Sequence, residues 1–488
     1  MNLKHVLGNT LWTISNARAY RLYRSALRDP RGAQEEILFH FLRKNAETLY
    51  GRKYEYASIR SVEEFQSRVP MVTYDDLKPW VRRIYHGRPN VLTGEPVLML
   101  EKTSGSSGAV KYIPYTESLR REFQNAIGAW IFDLFTRRMA LLGGAQYWSI
   151  SPSAREREVT PGRLPVGFEE DTEYLTPLER EVIGWVMAVP GSVARIQNME
   201  ENRRVTIRHL LRCRNLRFIS VWNPSFLTLL MSRLPEGAKP LDLWPNLALI
   251  SCWTSAVSAR FLPDLRALFP GVEIQGKGLL ATEGVVSFPE IGRRAPSPAI
   301  TSHFLEFVDE KGRARLVDEL ETGARYSVVM TTGGGFARYA LQDLVEVVSA
   351  NSIEFVGKSG LMSDLCGEKL SEGFVGRVLE EASSRFGLNG FALLAPEWNR
   401  PPRYVLFVES EPNPIARFVE ERLRASVHYD YCRKLGQLAP VEGVRVVQGS
   451  ERYLRGCEAL GQKPGNVKPA YLRKEFGWRA RLEPSNGC

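Results

Sequence analysis

The chain has 488 residues, 44% hydrophobic and 25% charged. That is the composition of an ordinary soluble globular protein, with length for two or three domains and a sizeable core. Lys and Arg total 65 against 55 Asp and Glu, a formal charge of +10. With no block of like charges, this modest excess favours anionic ligands and does not require nucleic acid. The six cysteines form no Cys-x-x-Cys pair. A disulfide framework and a zinc module are therefore disfavoured, and reduced thiols in a cytoplasm are expected.

At the N-terminus, Leu3, Leu7, Leu11 and Ile14 recur at helical spacing, followed by Arg18, Arg21 and Arg24. Charge and apolar run do not follow signal-peptide order, and the segment is too polar to span a membrane. Its apolar side is expected to pack on the main body rather than on a membrane surface. Residues 34–46 predict a helix with Ile37, Leu38, Phe41 and Leu42 on one side. Residues 97–100 read as a short strand, and 117–142 as a long helix. From 216 onward, apolar strands over 216–222, 247–253 and 272–275 alternate with helices over 225–231 and 259–269. This pattern predicts an α/β sheet that is mostly parallel. Residues 324–357 are β-rich. A helix over 373–386, strands near 391–395 and 404–409 and a helix over 414–427 then form a small α+β unit. The junction falls near Phe355 to Gly360, where Gly and charged residues separate the two patterns. The expected fold class is α/β. A large N-terminal domain of layered α/β sheets with a β subdomain, 1–357, precedes a small C-terminal α+β domain, 358–488.

Three stretches carry chemistry. Thr103-Ser104-Gly105-Ser106-Ser107-Gly108, followed by Lys111, offers hydroxyls, unhindered N–H groups and a cation to a polyanion. It lacks Walker spacing, and small polar loops are also common linkers. Leu280-Ala281-Thr282-Glu283-Gly284 follows a predicted strand. There Thr282 can meet a phosphate and Glu283 a Mg²⁺ ion. Asp343, in Arg338-Tyr339-Ala340-Leu341-Gln342-Asp343, can accept hydrogen bonds from ribose hydroxyls. His303 and His428 read as structural or surface residues. Trp222 and Trp253 end apolar strands and suit either core packing or an acyl pocket.

In this order, the three stretches resemble the adenylate-forming enzymes. More narrowly, they resemble the Gretchen Hagen acyl acid–amido synthetases and their bacterial relatives. The family's phosphate loop is similar to Thr103 through Lys111-Tyr112-Ile113-Pro114. Further matches are Phe65 through Val69-Pro70 with Tyr74, and Phe355-Val356-Gly357 running to Gly367-Glu368-Lys369-Leu370. Tyr431 with Leu435-Gly436-Gln437-Leu438 is another. The resemblance covers roughly residues 30 to 475.

The resemblance implies ATP and Mg²⁺ as cofactors. It assigns Ser104, Ser106, Ser107 and Lys111 to the β- and γ-phosphates, with Thr103, Gly105 and Gly108 completing the loop. It assigns Thr282 to the α-phosphate, Glu283 to the metal and Asp343 to the ribose. The stretch from Lys277 through Leu280 and Ala281 would wall the adenine. A lysine after Gln462 would bridge acyl carboxylate and α-phosphate. Lys468-Pro469 fits best, and Lys463-Pro464 competes. Three positions depart from the family pattern: Lys358 replaces an arginine, Gln342 a glycine, and Thr282 a serine. The implied reaction joins a carboxylic acid to an amine or amino acid through an acyl-adenylate. Transfer to a thiol, of CoA or a carrier protein, is the alternative. A catalytically silent nucleotide or nucleic-acid binder is a third reading. The C-terminal domain is expected to be mobile, turning near Lys358 between two half-reactions. No nucleic-acid or membrane partner is expected.

Overall fold

The computed structural model describes residues 2–103, 111–149, 158–167, 177–196, 198–358, 362–363, 365–366, 368, 370–388, 390–462 and 467–483. Helix α1 (Leu3–Ser15) is capped by Asn2, whose side chain accepts from the Lys4 N–H. Helix α2 (Ala17–Ala26) follows directly. Against expectation, Leu3, Leu7, Leu11 and Ile14 are exposed. The face of α1 that packs is Gly8, Asn9, Trp12 and Thr13. Asn9 Nδ2 donates to the carbonyls of Leu142 and Gly144, both at 2.9 Å, and Trp12 packs tilted against Phe135 and edge-on against Trp148. Polar satisfaction of a helix end and two aromatic contacts outweigh the leucine periodicity.

Strands β1 (Met99–Thr103) and β2 (Lys111–Tyr115) pair antiparallel with Thr103 opposite Lys111, so the ends of the serine-glycine loop are neighbours. The loop itself, 104–110, lies outside the described residues. Helix α3 (Glu117–Arg137) starts at Thr116, whose hydroxyl accepts from the Leu119 N–H. It ends before the expected 142, where a 3-10 turn, Met139–Gly143, leads into Gly144.

A parallel sheet runs β3 (Ala145–Trp148), β4 (Leu216–Ser220), β5 (Leu249–Cys252) and β6 (Glu273–Gly276), in that spatial order. Both faces are covered, which explains the near-continuous apolar runs. Phe218 and Leu249 join the core beneath α3. Ile219 and Ile250 join the opposite one, with Leu227 and Leu230 of α4 (Pro224–Met231). A short hairpin, β7 (Leu280–Ala281) and β8 (Gly284–Val285), follows.

The β-rich segment is a five-stranded antiparallel sheet. Its strands are β9 (Phe304–Val308), β10 (Ala314–Arg315), β11 (Arg325–Thr331), β12 (Tyr339–Ser349) and β13 (Ser352–Lys358), ordered β10-β9-β11-β12-β13. It starts earlier than the sequence pattern predicts. Beyond it, helix α5 (Glu372–Phe386) precedes β14 (Ala392–Glu397) and β15 (Arg403–Val408), which pair antiparallel. Helix α6 (Pro412–Leu423) ends before the predicted 427, and a second helix covers Val427–Lys434. Strand β16 (Glu442–Arg445) joins β15 in parallel. Val375, Leu379, Ile415 and Val419 pack on one face of this small sheet. Leu393, Phe407, Tyr453 and Trp478 pack on the other.

The C-terminal unit rests on α4. Leu229 packs against its second core, and Asn223 Nδ2 donates to the Val467 carbonyl at 3.4 Å. Among the described residues, no helix is long and apolar enough to cross a membrane.

Candidate active site

Three segments far apart in sequence meet at one tyrosine. Tyr339, at the start of β12, donates its hydroxyl proton to Glu283 Oε1 at 3.1 Å. Lys111, at the start of β2, places Nζ 3.4 Å from the Tyr339 hydroxyl oxygen and 5.6 Å from the Tyr74 ring centroid. Tyr74 in turn accepts from the Tyr112 N–H at 2.7 Å. Burial, then the neighbouring Glu283 carboxylate, hold the Tyr339 phenol far above its ordinary value, so it stays a donor. The second Glu283 carboxylate oxygen accepts no hydrogen bond among the described residues. A carboxylate on the buried Glu283, with Lys111 at the neighbouring Tyr339 hydroxyl, suits a divalent cation held jointly by protein and phosphates.

The Thr282-Glu283 turn is fixed from behind. It joins β7 to β8, with Gly284 opposite Ala281. The Val285 N–H donates to His303 Nε2 at 3.0 Å, which leaves the imidazole proton on Nδ1, facing Glu122 Oε2 at 2.8 Å. Glu122 also accepts from the Gly333 N–H at 2.9 Å. A Cβ on Gly284 would lie 2.6 Å from His303 Nε2, so the approach needs glycine. His303 is structural, as expected. For His428 the structure gives only its place in the helix Val427–Lys434.

Asp343 is buried on β12, opposite Lys358 of β13. The preceding Gln342 is exposed and has φ 62°. That is the left-handed conformation for which the family glycine is suited. Arg338 precedes Asp343 on the same stretch, but its guanidinium is consumed by the scaffold. It pairs with the buried Glu306 and donates to the carbonyls of Gln66 and Val69 at 2.6 and 2.8 Å. Glu368 likewise works within the fold, accepting from the N–H groups of Leu365 and Cys366 and from the Tyr404 hydroxyl.

The second feature lies at the carboxyl edge of the parallel sheet. Trp148, Ser220, Ser251 and Gln275 share one register row. Two residues on, and so on the same face, stand Trp222, Trp253 and Lys277. That face is covered by α3, where Trp130 Nε1 donates to Gln275 Oε1 at 3.0 Å. Lys277 turns into this aromatic set rather than outward as an adenine wall. Its Nζ lies 4.8, 5.2 and 5.5 Å from the ring centroids of Trp222, Trp130 and Trp148. The Trp222 and Trp253 rings are 5.8 Å apart, and Lys468 Nζ stands 5.8 Å from the Trp253 centroid. Lys468 thus reaches the mouth of the sheet from the C-terminal unit. Lys463 lies outside the described residues.

The motifs that contain Tyr339 and Tyr74 gave neither a role, and of the tryptophan set the sequence singles out Trp222 and Trp253 but not Trp130 or Trp148. A signal was present in the repeated small-or-polar, any, large-or-basic strand ends: Ser220-x-Trp222, Ser251-x-Trp253 and Gln275-x-Lys277.

The chain matches known families along most of its length. Residues 20–242 match the GH3 family N-terminal domain, 297–358 the central domain and 374–475 the C-terminal domain. An Arabidopsis thaliana relative, indole-3-acetic acid-amido synthetase GH3.10, is 24% identical, with 88% of this chain and 91% of the relative covered. A second from the same plant, indole-3-acetic acid-amido synthetase GH3.2, is 21% identical, with 81% and 87% covered. Among solved structures, GH3.15 acyl acid amido synthetase superposes with a TM-score of 0.79 at 17% identity, covering 94% of each chain. A 2-hydroxyisobutyryl-CoA ligase shares the fold at a TM-score of 0.54 and 14% identity, with 89% of this chain and 93% of that one covered. The fold is therefore that of the adenylate-forming ligases, and the chain belongs to the GH3 family.

Proposed function

We propose that this chain is an ATP-dependent acid–amine ligase. It activates a carboxylic acid as an acyl-adenylate with release of pyrophosphate, then passes the acyl group to an amine or amino acid with release of AMP. The observation that carries the reading is the meeting of Lys111, Glu283 and Tyr339. The family membership and the relatives named as amido synthetases support it.

The obstacle to such a reaction is an anion approaching a polyanion. In this reading Thr103, Ser104, Gly105, Ser106, Ser107, Gly108 and Lys111 hold the β- and γ-phosphates. Thr282 meets the α-phosphate and Asp343 the ribose. Leu280 and Ala281 flank the adenine, and Lys358 lies at the edge of the ribose site. Glu283 holds Mg²⁺, which supplies charge neutralisation when bound. Lys468 sits between acyl carboxylate and α-phosphate, where a fixed cation counters charge as it builds. The acid's body packs on Trp130, Trp148 and Trp222 at the sheet mouth. Residues 1–357 form the adenylation domain. Residues 358–488 form a domain that carries Lys468 in for the first step and turns away for the second. The setting is cytoplasmic, and the thiol of CoA or of a carrier protein is the alternative acceptor.

The test is ATP–pyrophosphate exchange across a panel of carboxylic acids. AMP release is then measured with amino acids and with CoA side by side. Acid-dependent exchange and amine-dependent AMP release are expected. Exchange with no acid in the panel would overturn the adenylation step. AMP release that responds to CoA alone would reassign the acceptor.

A further inference from the structure

The outer face of α1 and α2 has no role in the reaction above. Leu3, Leu7, Leu11, Ile14 and Leu22 are between 42% and 78% exposed. Spacings of four, four and three residues align the first four on one side of α1, a stripe about 16 Å long. The helix cannot roll to hide them. Asn9 is fixed by the carbonyls of Leu142 and Gly144 and by Gln146, Trp12 by Phe135 and Trp148, and Gly8 by contact with Val186.

The charge carried by α1 and α2 themselves has one sign. Residues 1–28 contain Lys4, Arg18, Arg21, Arg24 and Arg28 and no Asp or Glu, against +10 for the whole chain. Arg24 pairs with Glu290 at 3.7 Å. Lys4, Arg18, Arg21 and Arg28 are exposed and make no ion pair among the described residues. Arg18 and Arg21 are exposed on α2, which follows the stripe directly after Asn16. We infer that this face docks the protein onto an anionic membrane surface, the aliphatic side chains entering the headgroup boundary and the arginines meeting lipid phosphates. Amphipathic helices with cationic flanks bind such surfaces through both terms. A second copy of this chain would bring two like-charged faces together, which opposes that occupant.

The experiment is co-sedimentation of the full chain with phosphatidylcholine vesicles, with and without phosphatidylglycerol, at low and high salt. The expected result is binding to the anionic vesicles that salt weakens. The triple variant Leu7→Ser/Leu11→Ser/Ile14→Ser and the double variant Arg18→Gln/Arg21→Gln should each weaken it about tenfold or more. Both variants should keep wild-type ATP–pyrophosphate exchange, which reports that they fold. Three results overturn the inference. One is no binding of wild type to anionic vesicles. Another is binding by both variants as tight as that of wild type. The third is a wild-type dimer by light scattering that the triple variant dissolves, which would give the stripe to a second copy.

Discussion

Lys277 Nζ donates to Ser220 Oγ at 2.6 Å inside a set of tryptophan rings, with no carboxylate paired to it among the described residues. Burial pushes its ammonium down from 10.5 to about 7. The sign of the linkage follows. Between about 7 and 10.5 the unfolded chain holds a proton that the folded chain lacks, so stability rises with pH through that window. Below about 7 the full burial penalty is present. Lys277→Met should therefore raise stability at neutral pH and flatten the rise toward alkaline pH. Urea midpoints from neutral to alkaline pH measure this. A Met variant less stable throughout would mean that the aromatic rings more than offset the desolvation cost.

The same variant bears on function. A buried amine kept at a cost to stability fits a site where activity and stability trade against each other. Lys277→Met is expected to change which acids support pyrophosphate exchange while leaving the KM for ATP near wild type. A matched shift in the KM for ATP would instead tie Lys277 to the nucleotide.

Gln342 offers a backbone test beside the ribose position. An L-residue in the left-handed region costs roughly 1–2 kcal/mol, and the extra chain entropy of glycine offsets about 0.5–1 kcal/mol of any gain. Gln342→Gly should raise stability by about 0.5–1 kcal/mol. Gln342→Val should lower it by about 1 kcal/mol or more, because a β-branched residue tolerates positive φ least. Chemical denaturation measures both, and the opposite order would mean that the left-handed backbone at Gln342 is not a source of strain.

Much of the scaffold was legible because its signals are local. The runs at 216–220 and 249–252 are largely apolar, as central strands of a parallel sheet covered on both faces must be, while Glu273-Ile274-Gln275-Gly276 at the sheet edge is mixed. Two-residue strands such as Leu280–Ala281 and Gly284–Val285 carry no period to read. The orientation of α1 was misread because periodicity locates a stripe without saying what it faces. The bonds that orient α1, from Asn9 to Leu142 and Gly144, span more than 130 residues. In the site, Lys111, Glu283 and Asp343 followed from motif order and resemblance. Tyr339, which joins the first two, required the fold, since a tyrosine at a strand start has many roles.

The Tyr339 bridge separates a positioning role from a metal-holding one. Glu283→Gln keeps the shape and removes the charge. Exchange should fall by about 10²–10³, with a rise in the Mg²⁺ concentration needed for half-maximal rate. Tyr339→Phe removes one hydrogen bond to a charged group and should cost about tenfold, without moving the Mg²⁺ requirement as far. Equal Mg²⁺ shifts in both variants would make Tyr339 as important to the cation as Glu283.

Lys468 is the sharpest test of the C-terminal unit, because it approaches the sheet mouth from a separate core while the Val467 carbonyl is bonded to Asn223. If Lys468 neutralises charge only while the acyl–phosphate bond forms, Lys468→Ala should lose about 10²–10³ in pyrophosphate exchange. Aminolysis of a supplied acyl-adenylate should stay near wild type. Lys463→Ala should leave both intact. Exchange that survives in Lys468→Ala and falls in Lys463→Ala would transfer the role to the neighbouring Lys-Pro pair. Loss of both half-reactions in Lys468→Ala would instead mean that one arrangement of the C-terminal unit serves both.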